Sequence, residues 1–224
     1  EQLSPRANRR CICKSESCGT ARNPLTARYD GSRGVGGVTA TDDTGREAAG
    51  QDRPAVLGAI ARVLAEDGRT AGTGFLVAEE TVVTCAHVVR AAGQEPGGRV
   101  RLAFPHLPGS PCLTGHVLTA SWRGPEAEDL AVLRLDSAPA GARPVRLGSA
   151  NGCRGHRIRS YGFPSQAPAG GHFGYGTAGD LLPGSTGPLL QLADANDLTT
   201  GFSGGPVLDE VTGLGLEAQI ARIA

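Results

Sequence analysis

The residues that could do chemistry sit in Gly201-Phe202-Ser203-Gly204-Gly205-Pro206-Val207. A serine between glycines, followed by Gly-Pro and an apolar run, is the pattern of an exposed nucleophile on a tight turn. The glycines open backbone conformations closed to other residues. They also let a substrate carbonyl approach main-chain N–H groups, which can hold the negative charge that develops during acyl transfer. A serine hydroxyl is a weak nucleophile, so the chemistry also needs a positioned base and a group to orient it. Two candidates stand upstream. His87, in Thr84-Cys85-Ala86-His87-Val88-Val89, closes an apolar β run, as a ring projecting from a strand end into a cleft would. Asp129 opens Asp129-Leu130-Ala131-Val132-Leu133, and a carboxylate at the mouth of an apolar strand is costly to bury without a partner. Taken singly, each has a plain structural reading: a packed core histidine, and a strand-edge charge beside Glu126 and Glu128.

The elements that must position these groups read as short strands. The chain carries 34 Gly and 15 Pro with only 4% aromatic residues, a balance that favours a turn-rich β fold over a helical bundle. Strands are predicted at 59–65, 73–78, 81–84, 100–104, 113–121 and 130–135. A linker follows at 138–144, then strand-like pieces at 145–147, 157–162, 172–177 and 189–192. The expected organisation is all-β: a disordered tail over 1–53, a first barrel or sandwich over 54–137 carrying His87 and Asp129, and a second over 138–224 carrying Ser203.

Composition narrows the function. A formal net charge of +0 offers no basic field for nucleic acid. No apolar run is long enough to span a bilayer as a helix. The first fifty residues show no apolar leader, which favours the cytoplasm slightly over export. Nothing in the sequence specifies an oligomeric state. Six cysteines in 224 residues do not make a small disulfide scaffold. Cys11, Cys13 and Cys18 could bind zinc but lack a fourth ligand at a familiar spacing, and free thiols in a tail are the simpler reading. His106, His116, His156 and His172 show no metal spacing. No glycine motif follows a strand and opens a helix as phosphate binding requires, so no cofactor and no metal are expected.

Five pieces taken together resemble the bacterial trypsin-like (chymotrypsin-fold) serine peptidases. They are Gly72-Thr73-Gly74-Phe75-Leu76-Val77, Thr84-Cys85-Ala86-His87, Asp129-Leu130-Ala131-Val132-Leu133, Tyr161-Gly162-Phe163-Pro164 and Gly201-Phe202-Ser203-Gly204-Gly205-Pro206. The resemblance implies two six-stranded β-barrels, a peptide or protein substrate, and cleavage through an acyl-enzyme without a cofactor. It makes Ser203 the nucleophile, His87 the general base and then the general acid, and Asp129 the group that orients His87. The N–H groups of Gly201 and Ser203 become the oxyanion hole. Three departures bear on it. Phe202 stands where animal trypsins carry an Asp that pairs with a new N-terminus, so that activation switch is expected to be absent. Asp197 lies six residues before Ser203, where trypsins attract Arg or Lys, but the flanking cysteines that fix that alignment are missing; a solvated loop Asp is the alternative. The stretch after Ser203 is short, and 217–224 reads as helical, with Leu216, Ile220 and Ile223 at helical spacing. The second barrel is therefore expected to be incomplete. That leaves a second functional reading, an inactive or truncated domain acting as a peptide-binding or regulatory module.

Overall fold

Alternation of buried and less buried side chains along Thr81–Thr84 and Ala131–Leu135, and over most of Arg99–Ala103, sets the register of the first barrel. The computed structural model describes residues 11–14, 53–165, 170–183, 189–195 and 197–220. A strand β1 (Cys11–Lys14) and a short helix α1 (Arg53–Ala59) precede the barrel. Its strands are β2 (Ile60–Leu64), β3 (Thr70–Ala78), β4 (Thr81–Thr84), β5 (Arg99–Ala103), β6 (Cys112–Val117) and β7 (Ala131–Leu135). They close in the order β2-β3-β4-β7-β6-β5. In β5, Val100 and Leu102 point inward while Arg99 and Arg101 face solvent; in β7, Ala131, Leu133 and Leu135 point inward around exposed Arg134. Period-two patterning of this kind locks the register, because a slip of one residue would turn every apolar side chain outward. Leu133 is thereby held opposite Val82 on one side and Val117 on the other. Helix α2 (Ala86–Ala91) follows β4 after Cys85 and buries Ala86, Val88 and Val89.

Among the described residues, the second half forms a sheet that does not close. Its strands are β8 (Leu147–Gly148), β9 (Arg157–Gly162), β10 (His172–Leu182), β11 (Leu189–Ala193), β12 (Pro206–Asp209) and β13 (Gly215–Ile220). With β1 added, the order is β1-β11-β10-β9-β12-β13-β8. The fold is thus the expected trypsin-like pair, one barrel closed and the other incomplete. The two halves share a core. Val145, Tyr161, Phe163 and Leu208 pack into the cluster that fills the first barrel, and Val145 N–H donates to the Leu76 carbonyl at 2.8 Å.

Two sequence expectations are corrected. The helix expected over 217–224 is a strand as far as Ile220, and 221–224 lie outside the described residues. Antiparallel pairing with β12 and parallel pairing with β8 overrides the local periodicity of Leu216 and Ile220. His87 is not at a strand end but in the first turn of α2. Of the expected disordered tail, most lies outside the described residues, Cys18 included. Cys11–Lys14 pairs antiparallel with β11 and also lies against β13. Among the described residues no helix is long and apolar enough to cross a membrane.

Candidate active site

Pairing of β4 with β7 sets Thr84 opposite Ala131 and so brings the chain just beyond β4 to the chain just before β7. There, Asp129 holds the start of α2 at three points. Its carbonyl accepts Ala86 N–H at 3.2 Å, its Oδ1 accepts His87 N–H at 2.8 Å, and its Oδ2 lies 2.7 Å from His87 Nδ1. Asp129 is only 2% exposed, so its carboxylate is compensated by these donors rather than by water. A carboxylate can only accept, so in the neutral ring the proton sits on Nδ1 and Nε2 keeps its lone pair. Asp129 has φ 57°, a left-handed conformation that Asp tolerates better than most residues. The turn before it closes through Ala127 and Asp129 N–H groups donating to the Gly124 carbonyl at 2.9 and 3.0 Å. Strain of this kind recurs where a side chain must be aimed.

Cys85, His87 and Asp129 together place three ligand-type atoms within 4.8 Å of one another. Two ligands on one tetrahedral ion at about 2.1 Å stand about 3.4 Å apart. The 2.7 Å separation of His87 Nδ1 and Asp129 Oδ2 is that of a hydrogen bond.

Ser203 follows a turn fixed by the second sheet. Phe202 N–H donates to the Thr199 carbonyl at 3.1 Å, and Gly201, the third residue, has φ 107°. That is the type II form, which needs glycine there. A Cβ on Gly201 would in addition stand 2.7 Å from the Phe163 carbonyl oxygen and 2.6 Å from Pro164 Cα. Leu198 and Phe202 anchor the two ends of the turn. Both are buried, both pack on Gly174, and Phe202 also covers Gly162 and meets the His172 ring at 5.2 Å. The position preceding the serine is therefore held by apolar packing instead of an ion pair.

Gly204 shows how tightly the two halves meet. Its φ is 85°, and a Cβ there would lie 1.9 Å from the Thr73 carbonyl oxygen and 2.3 Å from Thr84 Oγ1. Gly204→Ala is expected to lower folding stability by at least about 3 kcal/mol, because the backbone strain and the overlap add. Urea unfolding measures this, and a loss under 1 kcal/mol would show that the turn has room to shift.

Gly72 lies between α2 and the serine turn. Its Cβ position is 2.7 Å from a Val88 methyl on α2 and 3.0 Å from the Ser203 carbonyl oxygen. The helix bearing His87 and the turn bearing Ser203 are thus one glycine apart. Asp197 lies exposed beside this turn, one residue before Leu198. Across the inter-barrel seam, His106 packs edge-on to Tyr161 and stacks against Phe163. Burial holds its imidazole below the ordinary histidine range, with the Gly170 carbonyl opposing. The Tyr161 hydroxyl donates to that same carbonyl, and burial raises its pKa. Sequence reasoning missed Thr73, Thr84 and Phe163 as supports of the serine turn. The Gly-Thr-Gly of 72–74 carries a signal only in its small residues, which permit close approach.

Residues 72–214, well over half of the chain, match the family described as the trypsin-like peptidase domain. Among curated proteins none matches the chain. Solved structures resemble it over 72% of the chain. The HtrA-type protease AlgW with decapeptide matches at 20% identity and TM-score 0.53, covering 72% of this chain and 55% of that one. Deg5 matches at 23% identity and TM-score 0.55, covering 72% and 78%. A serine endoprotease from Yersinia pestis matches at 17% identity and TM-score 0.52, covering 72% and 53%. The chain spans about half the length of the HtrA-type structures it matches.

Proposed function

Because this chain belongs to the trypsin-like peptidase family, we propose that it is a serine endopeptidase acting through Ser203, His87 and Asp129. The observation that carries the reading is the doubly held pair, in which one Asp129 carboxylate grips both the backbone N–H and the ring of His87. An ordinary core histidine does not need its backbone and its ring fixed by the same buried carboxylate.

The chemistry then runs in two halves. Ser203 Oγ attacks the scissile carbonyl carbon as its proton passes to His87 Nε2. Asp129 accepts from Nδ1–H and stabilises the imidazolium. The oxyanion is held by the N–H groups of Gly201 and Ser203. When the intermediate collapses, the C–N bond breaks and His87 returns the proton to the leaving amine. Water, deprotonated by His87, then attacks the acyl carbon; the C–Oγ bond breaks and Ser203 regains its proton. Peptide or protein is the substrate this site fits, and the peptide bound in the HtrA-type relative supports that class. The open second sheet favours one other reading, a domain that binds peptide without turnover.

A fluorophosphonate probe separates the two, since it needs an activated serine and a formed oxyanion hole but no knowledge of the substrate. The expected result is a stable adduct mapped by mass spectrometry to Ser203 and absent in His87→Ala. A folded chain that gains no adduct would leave the binding reading in its place.

A further inference from the structure

Thr73, on β3 of the first barrel, is wholly buried and uses all three of its polar groups on or around the serine turn. Its N–H donates to the Ser203 carbonyl at 2.9 Å. Its Oγ1 donates to the Gly201 carbonyl at 2.8 Å. Its own carbonyl accepts from Thr84 Oγ1 at 2.6 Å, and Thr84 is itself fully buried at the end of β4. The two carbonyls that Thr73 grips belong to Gly201 and Ser203, the residues whose N–H groups form the oxyanion hole under the function proposed above. A held carbonyl fixes the peptide plane that follows its residue, so Thr73 holds the 201–202 and 203–204 planes, which flank the plane carrying Ser203 N–H and border the one carrying Gly201 N–H. Gly201 has the weakest intrinsic preference of any residue for one such arrangement. Among the described residues its carbonyl has one other donor, Phe163 N–H at 3.0 Å, just beyond β9 of the second sheet, the half that does not close.

We propose that the Thr73 hydroxyl is a positioning element of the oxyanion hole: the closed first barrel holds, through this side chain, the turn that the open second sheet leaves under-supported. Thr73 touches neither substrate nor reacting atoms; it acts through Gly201 and Ser203. Thr84 in turn orients Thr73 from behind. The hydroxyl is the part that matters, because a valine of the same shape fills the same space but leaves the Gly201 carbonyl with a single donor. The requirement is chemical, so serine should replace threonine.

The proposal rests on the hydrolytic reading of the site, and its test keeps the two apart. Deleting an oxyanion-hole donor outright costs about 10²- to 10³-fold in kcat, and loosening a donor's support costs less. Thr73→Val is expected to lower kcat about 5- to 50-fold with KM within about twofold, since the hole acts on the transition state and not on bound substrate. Fluorophosphonate labelling of Ser203 should slow by the same factor. Thr73→Ser should stay within about threefold of the parent by both measures. A Thr73→Val enzyme that labels and turns over at the parental rate would overturn the clamp and leave the hydrolytic reading intact. Hydrogen exchange gives a readout that does not depend on activity. In Thr73→Val the amides of Phe163, Phe202 and Gly205 should exchange faster, with the β4 and β7 amides unchanged. Unaltered exchange at 163 and 202–205 would overturn the clamp even in a chain that never cleaves a peptide.

Discussion

Replacement of Ser203 by alanine is expected to lower kcat by about 10⁵- to 10⁶-fold, with KM for a peptide substrate changed less than about threefold. The size follows from what the hydroxyl does: without Oγ there is no acyl-enzyme, and only the preorganised N–H groups and bound water remain to assist. The substitution should leave the fold standing. Backbone atoms hold the turn: Ser203 O accepts from Thr73 N–H at 2.9 Å, and Phe202 O accepts from Gly205 N–H at 2.8 Å. Alanine keeps both bonds and adds no atom near Thr73 or Gly72. A melting temperature close to the parent, together with lost turnover, therefore separates a chemical from a structural role. Activity surviving Ser203→Ala at more than about a hundredth of the parent would rule out Ser203 as the nucleophile and move attention to another group.

The parts of this molecule that could be read from sequence are those in which neighbours along the chain carry the information. Alternation in Arg99–Ala103 and Ala131–Leu135 is local, and both segments are strands as expected. As candidates, Ser203 stands out because glycines surround it, and His87 and Asp129 because each abuts an apolar strand. The exceptions share a physical cause. His87 lies on a helix of only six residues whose N-terminus Asp129 secures from 42 positions away, and no local period announces such a helix. Asp tolerates the left-handed backbone found at Asp129, but most Asp residues do not adopt it, so the residue type alone does not announce it. Leu216 and Ile220 fit a helical stripe, yet partners on β12 and β8 claim their backbone groups. The Thr73 clamp spans 128 positions, so nothing local to Gly72-Thr73-Gly74 could disclose it.

Asp129→Asn tests the other half of the pair, with an expected fall in kcat of about 10³- to 10⁴-fold at neutral pH. Asparagine has the shape of aspartate, tolerates the same left-handed backbone, and can still accept His87 N–H through its carbonyl oxygen. What changes is the atom facing His87 Nδ1. An amide nitrogen donates where the carboxylate accepted, so Nδ1 must become the acceptor and the ring proton moves to Nε2, the atom that should take the proton of Ser203. The same variant removes the charge that stabilises the imidazolium during attack. A 10⁴-fold loss corresponds to about 5.5 kcal/mol of transition-state stabilisation, far above what one hydrogen bond contributes to folding. The fold should accordingly lose little in Asp129→Asn. Asp129→Ala should lose both activity and stability, because it strips His87 N–H and its ring of their buried acceptor. If Asp129→Asn instead kept more than about a tenth of parental kcat, the pair would be a structural staple that holds α2 to the 124–129 turn. The base that activates Ser203 would then have to be oriented by something else. Equal melting temperatures for Asn and parent, with kcat down by three orders of magnitude or more, would assign the carboxylate to the reaction and not to the scaffold.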